Sequence, residues 1–268
     1  MIPSINHTLA ARAENLTLTG AATMGVDNTL ANILDASRLA HGATLSGGGG
    51  ADTLIGSAWD DVYVVTLLDG PVTIRENAGG GTDTVRLVGP ATYYMPDNVE
   101  NVEITTAGRT EVYGNDLDNH ITANEDNDGT YQIDEFWYGY YNGGAGYDTI
   151  LFSFLDAHSV AIGGSGDDTI ESRYGVLFGE NIWQGGPGAD IYRMPNDPLG
   201  NLVIDGFDGA GTAAEDITRK IWVTEDNEDT ILSYQAGPDN GEPIAGHVRI
   251  IDGATRAADY TADDFFLA

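Results

Sequence analysis

The chain has 268 residues, with 42 acidic side chains against 11 basic ones, a formal charge of -31, 36 glycines and no cysteine. That balance excludes nucleic acid as a partner, because phosphate binding needs clustered Lys and Arg, and the missing cysteine excludes a disulfide framework. Hydrophobic residues make up 41% of the chain, enough for a sizeable core, but charge of one sign at this density opposes compaction unless cations settle among the carboxylates. No apolar run approaches the roughly 20 residues that cross a bilayer. Met1 to Thr8 lacks a positive region followed by an apolar stretch, so no removable signal peptide is expected there.

In chain order, the first pattern is a strand of E-N-U-x-U type (U a large apolar residue) in "AENLTLTG", residues 13–20, followed by an N-x-L-x-N turn in "DNTLANIL", residues 27–34. Both return as "VENVEITT" (99–106) and "GNDLDNHI" (114–121), offset by 86 and 87 residues. Asn28, Asn32, Asn115 and Asn119 take turn positions where their amides bond the backbone. A structural role is expected for them, with a metal role as the alternative.

The next stretch, "GGGGADTLIGSAWDDVYVV" (47–65), holds two adjacent nine-residue units of the form G-G-x-G-x-D-x-U-x. In the first, Gly47, Gly48, Gly50 and Asp52 precede Leu54; in the second, Asp61 precedes Tyr63 while Ser57 and Trp59 replace glycines. The unit recurs at Gly143, Gly144, Gly146 and Asp148, at Gly163, Gly164, Gly166 and Asp168, and at Gly185, Gly186, Gly188 and Asp190. Glycine permits a positive φ, so six residues can reverse the chain with backbone carbonyls turned inward. The Asp ends the turn and adds a carboxylate, and the following residues form a short strand of two to four residues whose apolar side chain faces inward. Oxygen donors of this kind suit Ca²⁺.

These residues resemble the RTX (haemolysin-type) calcium-binding repeats, a nonapeptide family whose periodicity signals a stacked solenoid. The resemblance implies an all-β fold, a parallel β-roll in which two nonapeptides make one turn and several Ca²⁺ ions sit between turns stacked on one side. Gly143 and Gly163 lie 20 residues apart, and Gly163 and Gly185 lie 22 apart, so these three turns are expected on one edge. The opposite-edge turns, near Leu155 to Ser159 and Arg173 to Glu180, have lost the Gly-Gly and the terminal Asp. A calcium ladder on one edge is therefore expected, with the other edge held by packing. Three segments are expected: 1–98, an RTX-like coil with its strand leader; 99–194, a second leader and the main roll; and 195–268, a C-terminal antiparallel β-cap.

A second acidic loop, Asn124 to Gly129 with Glu135 twelfth, approximates EF-hand spacing, but what precedes it reads as a turn leading to a strand. A degenerate repeat turn carrying Asp126 and Asp128 is preferred, and either version binds Ca²⁺. Seven of the chain's 24 aromatics lie between Tyr131 and Tyr147. Packing over the roll is the first reading for them, and contact with cell-surface glycans the second.

After Met194, "NLVIDGFD", "KIWVTED", "DTILSY" and "GHVRIID" read as the strands of the cap. The end, "ADYTADDFFLA", is similar to the uncleaved C-terminal signal of RTX substrates of Gram-negative type I secretion machinery; a last strand of the cap is the alternative. The five histidines are scattered without H-E-x-x-H, and neither G-x-S-x-G nor a phosphate-binding P-loop occurs. With so few residues before Gly47, no attached enzyme domain is expected. The expected function is a secreted, calcium-folded protein with a structural or surface role, and self-assembly is open. A glycan-binding module and a carboxylate-based polysaccharide enzyme stand as the alternatives.

Overall fold

In a computed structural model the chain is all-β, a parallel β-solenoid, and among the described residues there is no helix. The structure describes residues 5–66, 70–89, 91–105, 109–123, 139–152, 159–172, 180–188 and 190–193, and the strand backbone of 201–205, 212–213, 221–226, 229–236 and 244–251. The EF-hand-like loop with Asp126 and Asp128, the aromatics from Tyr131 to Tyr138, most of both opposite-edge turns and the terminal "DDFFLA" lie outside the described residues. Contacts divide the chain into two compact units, Met1–Gly108 and Arg109–Ala268.

The first unit contains β1 (Ile5–Thr8), β2 (Asn15–Thr17), β3 (Ala22–Val26), β4 (Ile33–Asp35), β5 (Thr44–Ser46), β6 (Asp52–Ile55), β7 (Val62–Val65), β8 (Val72–Arg75), β9 (Thr84–Leu87), β10 (Thr92–Tyr94) and β11 (Asn101–Ile104). Odd strands from β1 to β11 form one sheet in sequence order, and β2-β4-β6-β8 form another. Two parallel neighbours cannot be joined by a tight turn. Here the crossover between them is simply the strand on the other sheet, so each turn of the coil has two strands and two corners. The leader strand of 13–20 is β2, paired with β4 behind the 27–32 turn, and so is a coil of the same solenoid.

The second unit contains β12 (Glu111–Tyr113), β13 (His120–Ala123), β14 (Gly139–Ala145), β15 (Thr149–Phe152), β16 (Ser159–Ser165), β17 (Thr169–Ser172), β18 (Glu180–Gln184), β19 (Ile191–Arg193), β20 (Asn201–Asp205), β21 (Thr212–Ala213), β22 (Ile221–Asp226), β23 (Asp229–Ala236) and β24 (Ile244–Ile251). One sheet runs β13-β15-β17-β19-β21 and the other β12-β14-β16-β18-β20-β24-β23-β22. The last three strands pair antiparallel, and β24 joins β20 in parallel. These three strands are the antiparallel segment expected after Met194, but the "NLVIDGFD" strand read as part of it is β20, which pairs in parallel with β18 and so carries the roll one coil further. β14 and β16 each run 7 residues, longer than the expected two to four. The difference arises because the glycine pairs stay in parallel register, Gly144 opposite Gly164, so the ladder continues into the turn.

The apolar position of the repeat points inward at every copy: Leu54, Tyr63, Ile150, Ile170 and Tyr192 are all buried. In the second unit Ile121, Ile150, Ile170 and Tyr192 are successive rungs of one sheet, and Tyr141, Ala161 and Trp183 are rungs of the other. Ala161 leaves a gap that Phe152 fills from across the roll. Its ring stacks on Trp183 at 5.9 Å and meets Tyr141 edge-on at 5.4 Å. Tyr141 therefore belongs to the core, as the packing reading of the aromatic segment expects, whereas Tyr147 is 62% exposed.

Candidate metal centre

The three glycine turns of the second unit stack on one edge, as their spacing predicts. The Gly164 amide donates to the Gly185 carbonyl at 2.8 Å, Gly166 to Pro187 at 3.0 Å and Gly146 to Ser165 at 3.0 Å. A fourth turn, Gly114 to Asn119, extends the column through Gly114 N–H to Asn142 O at 2.8 Å. The stacking explains the glycines directly. A Cβ on Gly164 or Gly186 would collide with the carbonyl of Gly144 or Gly164, and one on Gly166 or Gly188 with that of Gly146 or Gly166. Gly144 and Gly164 also hold φ of 110° and 120°, the left-handed region that an L side chain resists.

The terminal aspartates form a ladder. Asp148 Oδ1 accepts the Asn119 amide at 2.7 Å, Asp168 Oδ1 the Asp148 amide at 2.8 Å, and Asp190 Oδ1 the Asp168 amide at 3.0 Å. The second oxygens of Asp148 and Asp168 are buried and without a hydrogen-bond partner. A buried carboxylate oxygen in that state is costly unless a cation or proton meets it. Gly143 shows what surrounds it: a Cβ there would touch both Asp148 Oδ2 and the Gly163 carbonyl, and one on Gly163 would touch Asp168 Oδ2 and the Gly185 carbonyl. Each rung thus presents a carboxylate oxygen and a carbonyl oxygen to the same small space. Burial pushes the Asp148 carboxyl up to about 7, opposed by the Asn119 amide and assisted by the charge of Asp168. Burial likewise raises Asp168 to about 6, with the Asp148 amide opposing and Asp190 adding to it.

The first unit carries acidic turns on both sheets. On the even sheet, the turn of Gly47, Gly48, Gly50 and Asp52 stacks on Asp27 to Asn32, with Gly49 N–H on Asn28 O at 3.3 Å and Asp52 Oδ1 accepting the Asn32 amide at 2.9 Å. Asp27 stands where the next turn has Gly47. Both of its carboxylate oxygens, Asp52 Oδ2 and Asn32 Oδ1 are buried with no N–H donor on them, and the Asp27 and Asp52 carboxyls lie close enough to share a proton. Burial, then the charge of Asp52, raises Asp27 to about 7.

On the odd sheet, Asp61 Oδ1 accepts the Ala43 amide at 2.6 Å, Asp83 Oδ1 the Asp61 amide at 2.7 Å, and Glu100 Oε2 the Asp83 amide at 2.8 Å. Asp61, Glu76 and Asp83 bring one ligand oxygen each within 4.8 Å of one another. Oxygens bound to a single Ca²⁺-sized ion at 2.3–2.6 Å lie at most about 5 Å apart, so one hard cation fits between them. Glu76 also accepts from the Tyr63 hydroxyl. Burial raises the Asp83 carboxyl to about 7, and burial again, ahead of every other cause, raises Asp61 and Glu76.

Of the residues singled out in sequence, Gly143, Gly163 and Gly185 with Asp148, Asp168 and Asp190 come together in one column, Asp52 stands in a second and Asp61 in a third. Asp27, Glu76, Asp83 and Glu100 join them unforeseen. A signal existed for Asp83: Gly79, Gly81, Asp83 and Val85 occupy the second, fourth, sixth and apolar positions of one more repeat. No family model, no curated protein and no solved structure matches the chain.

Proposed function

We propose that the chain is a calcium-binding β-roll protein of RTX type, exported unfolded by type I secretion and folded by Ca²⁺ outside the cell, where its role is structural or surface-associated and not catalytic. The observation that carries this reading is the column of Asp148 and Asp168 oxygens, buried without partners and facing the Gly163 and Gly185 carbonyls. Hard oxygen donors of mixed carboxylate and carbonyl type are what Ca²⁺ takes. The nonapeptide resemblance supports the same assignment.

The folding argument follows from charge. At an effective dielectric near 20, two like charges 4 Å apart repel by about 4 kcal/mol, and several such contacts rival the ~5–15 kcal/mol that stabilises a domain. A divalent cation reverses the sign of each contact, so its binding free energy becomes folding free energy. Scarce cytosolic calcium keeps the chain exportable, and a millimolar external supply folds it. Far-UV circular dichroism of the full chain in EGTA should show mostly disorder, turning to β signal as calcium is added. A β spectrum in EGTA that calcium leaves unchanged would overturn the mechanism. A glycan-binding role is the second reading, favoured by the exposed Tyr147 on the rung beside Asp148. Soluble glycans that quench intrinsic fluorescence in the wild type but not in Tyr147→Ala would support it.

A further inference from the structure

We propose that Asp61, Glu76 and Asp83 form a cation site of a second chemical kind, made of side-chain carboxylates, that binds a hard divalent ion more tightly than the glycine-first turns. The proposal rests on the calcium reading above and deepens it.

The register β6–β8 sets Ile55 opposite Arg75, which places Gly56 opposite Glu76 at the first position of their turns. Where a glycine-first turn offers a backbone carbonyl, this turn offers a carboxylate. The neighbouring rung leaves room for it, since a Cβ on Gly56 would overlap Glu76 Oε1 and the Tyr63 hydroxyl. Tyr63 is itself fully buried at the apolar position of its strand, so its hydroxyl fixes the Glu76 carboxylate from inside the roll. The Glu76 backbone is fixed as well: its carbonyl accepts from Asn98 Nδ2 at 3.2 Å, and Asn98 holds a left-handed φ of 63°.

Asp83 points to a cation independently of the charge of the cluster. Its residue exposure is 0%, its Oδ1 is held by the Asp61 amide, its Oδ2 is buried with no partner, and one oxygen of this carboxylate lies within 4.8 Å of one from Asp61 and one from Glu76. Asp61 is held at both oxygens, by the Ala43 and Ser57 amides at 2.6 Å each. The three carboxylates are therefore preset by backbone donors and by Tyr63. Affinity for Ca²⁺ rises with the number of charged ligands and the rigidity of the site. Three carboxylates at one point, against one or two per rung in the glycine ladder, place this site first in order of loading.

The test uses the full chain. Calcium bound after gel filtration at low micromolar free calcium is counted by plasma mass spectrometry for the wild type, Glu76→Gln and Asp168→Asn. The account expects Glu76→Gln to lose one ion at this concentration and Asp168→Asn to lose none. Glu76→Gln retaining the full count would overturn the site. Calcium binding to neither the wild type nor any variant, even at millimolar concentration, would instead overturn the calcium reading itself. Should Glu76→Gln fail to fold in saturating calcium, wild-type crystals soaked in TbCl₃ decide the matter. An anomalous peak about 2.3–2.6 Å from Glu76 and Asp83 oxygens supports the site, and an ordered cluster without a peak overturns it.

Discussion

In the Arg109–Ala268 unit the first turn position is glycine four times running, at Gly114, Gly143, Gly163 and Gly185, and the Gly143 and Gly163 rungs each set a carboxylate oxygen against a carbonyl. The Met1–Gly108 unit puts Asp27 and Glu76 at that position. Each of these acids faces a glycine of a neighbouring turn, Gly48 for Asp27 and Gly56 for Glu76, whose missing side chain leaves the space that the carboxylate fills. One repeat thus makes two kinds of oxygen seat, according to which of two stacked turns carries the side chain. The repeat glycines serve two separate ends: some let backbones stack, and others clear room for an acid.

The largest expected effect tests whether the second unit relies on its aromatic core as well as on its turns. Phe152→Ala empties the space over Ala161 between Tyr141 and Trp183, and should cost about 3–5 kcal/mol. Chemical denaturation in saturating calcium measures it, and a loss below 1 kcal/mol would mean that the turns alone hold this unit.

Next in size is the ladder. Asp148→Asn with Asp168→Asn keeps the oxygens that accept amides but removes two charges. At roughly tenfold in calcium affinity per charge, about 1.4 kcal/mol each, the calcium midpoint for folding should rise about a hundredfold. The tight phase assigned to Glu76 should stay in place, and its movement with the double variant would erase the distinction between the units.

A smaller effect comes from protons standing in for cations. In the calcium-free protein Asp27, Asp83 and Asp148 are raised to about 7 and Asp168 to about 6, in each case chiefly by burial. A folded-state value above the ordinary 3.8 means that the contribution is complete below about pH 4 and lost as pH climbs through 6 to 7. Residual β signal in EGTA should therefore be greatest near pH 4–5 and decline toward pH 8. A signal that grew over this range would contradict the burial of these carboxyls. Smallest of all is the surface: Arg86 and Glu103 pair at 2.8 Å with side chains 49% and 37% exposed. Arg86→Ala should cost under about 1 kcal/mol, and a larger loss in thermal unfolding would show the outer faces to matter more than the comparison allows.

Much of this architecture is legible in the amino-acid sequence. The apolar residue after each Asp, the 20- and 22-residue spacing of the three turns and the strand pattern after Met194 specify inward positions, a shared edge and the closing strands, because each depends on local period alone. Glu76 is hidden there. Its turn reaches Asp83 two residues later than Gly56 reaches Asp61, so the glycines slip out of the nine-residue frame and the acid at position one breaks the pattern that announces a turn. Only the strand register restores the alignment. Asp27 is hidden for the same reason: a carboxylate at a glycine position reads as a failed repeat until the facing Gly48 shows the room made for it.

The most direct test of the central claim is a crystal structure of the full chain grown in calcium, with anomalous differences recorded at long wavelength. Calcium peaks should lie against Asp148 Oδ2 and Asp168 Oδ2, shared with the carbonyls of Gly163 and Gly185. Ordered aspartates in the same stacked turns with no ion beside them would contradict the account.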